Sequence, residues 1–163
     1  MRFLILILFL YLLSYHSLAQ EDCIFDQSTQ TDEFIRNIPE FSNYTWDDNK
    51  KEATILIENG NTLIAHRGGC VHFGISGDLF VSLDNDENYD LEGWLEKCKW
   101  MAKRLFNEYD YQILVSSLKN KTYTKFSENN MIYIVIPHNS YIEYYIAIPT
   151  DGKSKKVSIG YYF

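Results

Sequence analysis

The chain has 163 residues, a formal net charge of -7 and an aromatic content of 16%. Its acidic excess argues against a nucleic-acid partner, because phosphate binding depends on Lys and Arg releasing counterions. The same charge would steer a cationic protein toward it.

The first 19 residues have the pattern of a secretory signal peptide. Arg2 precedes an apolar run from Phe3 to Leu13, and Ser17-Leu18-Ala19 places small residues at a cleavage site before Gln20. The run is too short to cross a hydrocarbon core of roughly twenty residues. We therefore predict a secreted or periplasmic protein with no membrane span after cleavage; a retained membrane anchor is the alternative.

Residues 20–163 are predicted to form one domain, with 14 basic against 22 acidic residues. A polar arm leads to a short helix at 32–37, which ends before Pro39. Asn59-Gly60 lies between two β-branched runs and predicts a hairpin. The expected strands in this half are 41–46, 53–58, 62–65 and, after a break at Gly68-Gly69, a bent strand or two short ones over 71–73 and 79–83.

The second half begins with an acidic loop at 84–90 and a strong helical pattern from about Leu91 to Glu108. Residues 111–118 fit either a second short helix or a strand. Three further strands are predicted at 131–136, 141–148 and 156–163. The expected fold is α+β: a compact domain with an antiparallel sheet of about five to seven strands, packed on one face by one main amphipathic helix.

Three cysteines remain in an exported chain: Cys23, Cys70 and Cys98. Cys98 lies in the apolar stripe of the predicted helix, where a thiol behaves as a small hydrophobic group. Cys23 lies on a polar arm, and Cys70 follows two glycines that permit close backbone approach. We predict a Cys23–Cys70 disulfide with Cys98 buried and free, and the main alternative pairs Cys70 with Cys98.

The segment from His66 to Gly74 contains several residues of the types that act in catalysis, metal binding or partner recognition. Cys70 with His66 or His72 fits a thiolate nucleophile and its base, but a disulfide would consume the thiol. A zinc site would need more ligands than this segment offers, so no metal is expected. The remaining interpretations are a disulfide-anchored turn and a partner-contacting loop containing Arg67.

Two other regions are candidates for partner binding. The acidic loop resembles the start of an EF-hand, but Tyr89 and Leu95 stand where Gly and Glu are required, which excludes that motif. Alternation places Tyr141, Glu143 and Tyr145 on one face of a strand, where tyrosines could serve an interface. The full set of partner-binding candidates is His66, Arg67, His72, Asp84, Asp86, Glu87, Tyr141 and Tyr145.

Asn43-Tyr44-Thr45 and Asn120-Lys121-Thr122 match glycosylation acceptors. They matter only in a host that glycosylates exported proteins.

Taken together, these patterns predict a small secreted, non-enzymatic binding protein without a cofactor. The working hypothesis is a periplasmic inhibitor or immunity-type protein that neutralises a cationic secreted enzyme or toxin. One alternative is a secreted enzyme that uses Cys70 with His66 or His72. Another is an envelope-associated structural domain without a discrete site.

Overall fold

A computed structural model describes residues 23–82, 89–139, 141–152 and 155–163. The predicted signal peptide therefore lies outside the described residues, as do Asp84, Asp86 and Glu87 of the acidic loop. Within the described ranges, no helix is both long enough and apolar enough to span a membrane.

The described chain contains three α-helices and eight strands, with short 3₁₀ turns at Gln27–Thr29, Pro39–Phe41 and Glu58–Gly60. In chain order the elements are α1 (Glu33–Arg36), β1 (Tyr44–Asp47), β2 (Glu52–Leu56), β3 (Thr62–Gly68), β4 (Gly74–Phe80), α2 (Leu91–Leu105), α3 (Glu108–Asn120), β5 (Thr124–Glu128), β6 (Met131–Pro137), β7 (Glu143–Pro149) and β8 (Lys156–Tyr162).

The eight strands form one antiparallel sheet in the order β1-β2-β3-β4-β8-β7-β6-β5. Each half of the chain contributes a four-stranded meander, and the last strands of the two meanders pair at the centre, with Gly77 opposite Ile159. The α+β class is confirmed. The expected count of five to seven strands is too low, because the edge strand β5 was not predicted.

Strand β5 has little of the signal by which strands are found. All five of its residues are exposed, so its sequence lacks the apolar alternation of a half-buried strand. Its hairpin with β6 has Asn129 and Asn130 at φ of 50° and 61°, the left-handed region that a two-residue type I′ turn requires. The Asn-Asn pair is thus the sequence feature that marks this strand.

Two helices cover one face of the sheet. Helix α2 is capped by Asp90, whose side chain accepts a hydrogen bond from the Gly93 N–H, and its apolar stripe packs on β4, β8 and β7. Residues 111–118 belong to α3, so the helical alternative is confirmed. The apolar stripe of α2 consists of Trp94, Leu95, Cys98, Met101, Ala102 and Leu105.

The first meander differs locally from its prediction. The β2–β3 hairpin is present, but its loop is longer than the Asn59-Gly60 pair and includes a 3₁₀ turn. The prediction of a strand at 71–73 is wrong, because these residues lie in the turn between β3 and β4. The extended segment instead starts at Gly74 and continues to Phe80, pairing along its whole length with β3.

Candidate functional site

The Cys23–Cys70 disulfide anchors the β3–β4 turn, as predicted, and Cys98 is free and buried. The two bridged Cα atoms lie 4.5 Å apart. Gln30 holds the same turn from the arm: its amide donates to the Gly69 carbonyl at 2.8 Å, and its oxygen accepts from the Gly69 N–H at 3.0 Å. A Cβ at Gly69 would lie 1.7 Å from the His72 carbonyl oxygen, so this turn requires glycine.

The disulfide argues against Cys70 as a catalytic nucleophile with His66 or His72 as its base. With its sulfur bonded to Cys23, Cys70 has no thiolate to act as a nucleophile. His72 lies exposed in the turn, while His66 is half-buried on β3, where burial lowers its pKa against the opposing influence of Glu52. Among the described residues, no group of three or more His, Cys, Asp or Glu side chains is arranged to hold a metal ion.

Strand alternation separates two neighbouring candidates onto opposite faces of the sheet. His66 pairs with Ser76 and Glu52 on the surface away from the helices. Arg67, the next residue, points to the helix side and lies between the rings of Phe34 and Phe73, with its guanidinium carbon 5.9 and 5.7 Å from their centroids. The predicted loop therefore contributes to two different surfaces.

Arg67 lines a cleft of about 430 Å³ between the sheet and the helices, which we call the end cleft. Arg104, near the end of α2, lines the same cleft; its guanidinium binds Glu40 at 2.8 Å and lies 4.4 Å from the Trp100 ring centroid. The remaining lining residues are Phe34, Phe73, Ile75, Leu105, Phe106, Asn107, Asp110, Ile142, Tyr161 and Phe163.

A buried carboxylate closes the inner side of the end cleft. Asp110, in the first turn of α3, accepts hydrogen bonds from the Tyr144 hydroxyl at 2.6 Å and the Asn107 amide at 2.7 Å. Burial, together with this carboxylate, raises the pKa of Tyr144 and of Tyr161. The Tyr144 hydroxyl is therefore protonated at neutral pH and donates to Asp110.

The opposite surface of the sheet has no described helix over it, and we call it the open face. Cross-strand register gives it five carboxylates from the strands but a single lysine, Lys156, which binds Asp78 at 3.1 Å. Several of its apolar side chains remain exposed, Leu56 at 68% and Phe126 at 46% among them. The carboxylates are Asp47, Glu52, Asp78, Glu128 and Glu143.

Two tyrosines form a flat aromatic platform on the open face. The rings of Tyr145 and Tyr162 are parallel within 1°, with centroids 5.9 Å apart. Each ring lies over a glycine of the neighbouring strand: a Cβ at Gly160 would meet the Tyr145 ring at 2.8 Å, and a Cβ at Gly74 would meet the Tyr162 ring at 2.2 Å. The missing side chains at these glycines let the rings lie down on the sheet.

The platform borders a shallow groove of about 290 Å³, which Tyr141 and Glu143 also line. Glu143 is directly opposite Tyr162 in the register. Two of the sequence candidates, Tyr141 and Tyr145, are thus brought together. Sequence reasoning missed Tyr162, although a glycine within each of two adjacent strands marks a place where a ring can approach the backbone.

We expect Gly160→Ala to destabilise the protein by about 1–3 kcal/mol, because the new methyl group would lie 2.6 Å from the Tyr145 hydroxyl oxygen and 2.8 Å from the Ser76 Cβ. The first contact forces the ring off the sheet, and the second remains when Tyr145 is removed. Urea denaturation measures this loss. In a Tyr145→Ala background the same change should cost at least about 1 kcal/mol less. Equal costs in the two backgrounds would show that Tyr145 does not lie over Gly160.

The remaining sequence candidates lie apart from one another: His72 in the anchored turn, Arg67 in the end cleft and His66 on the open face. Arg104 and Asp110 were not singled out, since a helix pattern gives no sign that Arg104 meets Glu40 or that Asp110 is buried against Tyr144. No protein-family model matches this chain, and comparisons with curated proteins and with solved structures find no match either.

Proposed function

We propose that this is an exported, non-enzymatic binding protein whose open face binds a cationic protein partner, in the manner of a periplasmic inhibitor or immunity-type protein. The observation that supports the proposal is the charge of the open face. Of its five strand carboxylates, Asp78 is paired with Lys156 and Asp47 with Lys50, while the other three have no ion pair among the described residues. A basic partner would be attracted to this surface and oriented on it.

The aromatic rings supply the short-range part of the recognition. A guanidinium or ammonium group over a tyrosine or phenylalanine ring gains a cation–π attraction, which is stronger where the cation is desolvated. Tyr145 and Tyr162 present such rings beside the exposed Glu143, and Phe126 stacks on Tyr133 with centroids 5.2 Å apart. An arginine side chain on the platform would meet a ring face and a carboxylate together.

The enzyme alternative is weakened because its nucleophile, Cys70, is held in a disulfide. The envelope-associated alternative differs from the binding proposal in one measurable respect: it requires no tight soluble partner. The proposed function does not depend on Asp84, Asp86 and Glu87 of the acidic loop, which lie outside the described residues and remain predicted contributors.

The test uses a nona-arginine peptide as the probe and the variant Glu128→Lys/Glu143→Lys. We expect the peptide to shift the amide resonances of the open-face strands, and the double variant to slow association by tenfold or more at low ionic strength. A matched control, Glu92→Lys/Glu108→Lys, changes the net charge equally but on the helices. Its effect on association should be at most half as large on a logarithmic scale.

The inhibitor component is tested with proteins from the exported fraction of the native host. Basic proteins that bind the wild type but not the open-face variant are assayed for loss of activity when the wild type is added. Equal slowing by both double variants would show that the net charge acts without a site. Absence of any basic partner, or full activity of every bound partner, would contradict the proposal.

A further inference from the structure

The end cleft contains a cation without a matching anion. Arg67 makes no ion pair and no side-chain hydrogen bond among the described residues; its guanidinium lies against the rings of Phe34 and Phe73. Its Nε is buried, as is the Nε of Arg104, and neither atom has a hydrogen-bond partner in the described part of the chain. Arg104 differs in having Glu40 as a partner for its terminal nitrogen.

Two buried donors without acceptors are unusual in a folded protein. Nearly all buried polar atoms have a partner, and those without one call for an explanation such as a bound ion, water or ligand. The guanidinium is a planar fork whose N–H groups match the two oxygens of a carboxylate. An acceptor that enters the cleft from outside would therefore supply the hydrogen-bond partner that the Arg67 guanidinium lacks.

The walls of the cleft indicate what accompanies that acceptor. Eight of the twelve lining residues are aromatic or aliphatic, with Phe73, Phe106 and Phe163 among them, and polar atoms form the rest of the exposed lining. The volume of about 430 Å³ lies within the range of small-molecule sites. A ligand with an apolar body would bury that body against the rings while its polar end reaches Arg67. A fully hydrated inorganic anion would leave these walls unmatched.

The charges at the cleft limit the charge of the ligand. Glu40 pairs with Arg104, Asp110 also lines the cleft, and Glu33 lines an adjoining cavity together with Arg67, so several acidic groups already lie near the two arginines. The Asp110 carboxylate already accepts hydrogen bonds from Tyr144 and Asn107, whereas Arg67 forms no ion pair with a carboxylate of the described residues. This arrangement has room for one added negative charge and would disfavour a multiply charged phosphate.

We propose that the end cleft binds a monocarboxylate with an aromatic or aliphatic body, with the carboxylate on Arg67 and the body among the phenylalanine rings. The carboxylate can belong to a free organic acid or to the C-terminus of a peptide that ends in an apolar residue. The site is on the helix side of the sheet and is independent of the open face.

The experiment titrates the disulfide-bonded wild-type protein with hydrocinnamate and with hydrocinnamamide, which has the same body without the charge. Binding is followed by the arginine Nε–Hε resonances in ¹H–¹⁵N spectra and by calorimetry. We expect hydrocinnamate to shift the Arg67 resonance and to bind at least tenfold more tightly than the amide. Acetyl-Gly-Phe with a free carboxylate, compared with its C-terminal amide, shows whether a peptide end serves as the source.

Arg67→Gln should weaken hydrocinnamate binding at least tenfold, since it removes the charge and the fork. Arg36→Gln is the matched control, because Arg36 is exposed on α1 and lies outside the cleft lining; its affinity should equal that of the wild type. Equal affinity for acid and amide in the wild type would overturn the proposal, whether or not the variant folds. Absence of any shift at millimolar hydrocinnamate would also overturn it.

Discussion

Replacing both Cys23 and Cys70 with serine is expected to lower the free energy of unfolding by about 4 kcal/mol. The bridge joins residues 47 positions apart, and the chain-entropy model gives this magnitude for a loop of that length. In the folded protein the bridge holds the N-terminal arm beside the β3–β4 turn, together with the Gln30 hydrogen bonds to Gly69 and the contacts of the Phe25 ring with Phe73 and Phe163. Chemical denaturation of the oxidised wild type and of the double variant measures the difference.

The control for this prediction is the reductant itself. Wild type in dithiothreitol should unfold like the double variant, and the double variant should not respond to dithiothreitol. The free Cys98 should not react in the folded protein. Its thiol is buried, and burial raises its pKa, so little thiolate forms. A loss below about 1 kcal/mol would indicate that the arm is ordered without the bridge.

Tyr144→Phe is expected to cost about 1–3 kcal/mol, the usual penalty for leaving a buried polar group without its partner. The Tyr144 side chain is fully buried on β7, and its hydroxyl donates to Asp110 at 2.6 Å. The variant keeps the ring and removes only that donor, so the Asp110 carboxylate at the start of α3 loses the hydrogen bond from Tyr144. Urea denaturation gives the change in stability.

Tyr141→Phe is the matched substitution, since it removes the same hydroxyl from a side chain that is 85% exposed. Its effect should stay within about 0.5 kcal/mol. Hydrogen exchange adds a local readout: amides of α3 should exchange faster in Tyr144→Phe than in Tyr141→Phe. Similar stabilities for the two variants would mean that the Tyr144–Asp110 bond contributes little to holding α3 on the sheet.

Much of the fold follows from the sequence, because burial leaves periodic patterns. The apolar residues of α2 recur at helical spacing since one stripe faces the sheet, and the strongest strands alternate because one face is covered. Strand β5 escaped prediction for the converse reason: it is exposed on both faces. The turn at 71–73 was mistaken for a strand because the disulfide and the Gln30 contacts that shape it come from a distant segment.

The candidate sites were harder to predict than the fold. Tyr141, Glu143 and Tyr145 line one groove, but Tyr141 precedes β7 and does not share the strand on which alternation placed it. The platform also needs Tyr162 from the neighbouring strand and two glycines beneath the rings. The end cleft combines Phe34, Arg67 and Arg104, which are separated by tens of residues. Their meeting depends on the packing of helices on the sheet, and no local pattern in the sequence encodes it.

The central pairing of β4 with β8 has a consequence for how the protein is made. Seven strands are synthesised before the one that fills the middle of the sheet, so the two meanders cannot join until β8 has been translated. Contacts of this kind span large sequence separations and form slowly. A chain that cannot complete its core early stays unfolded longer, which is the state in which a polypeptide can be threaded across a membrane.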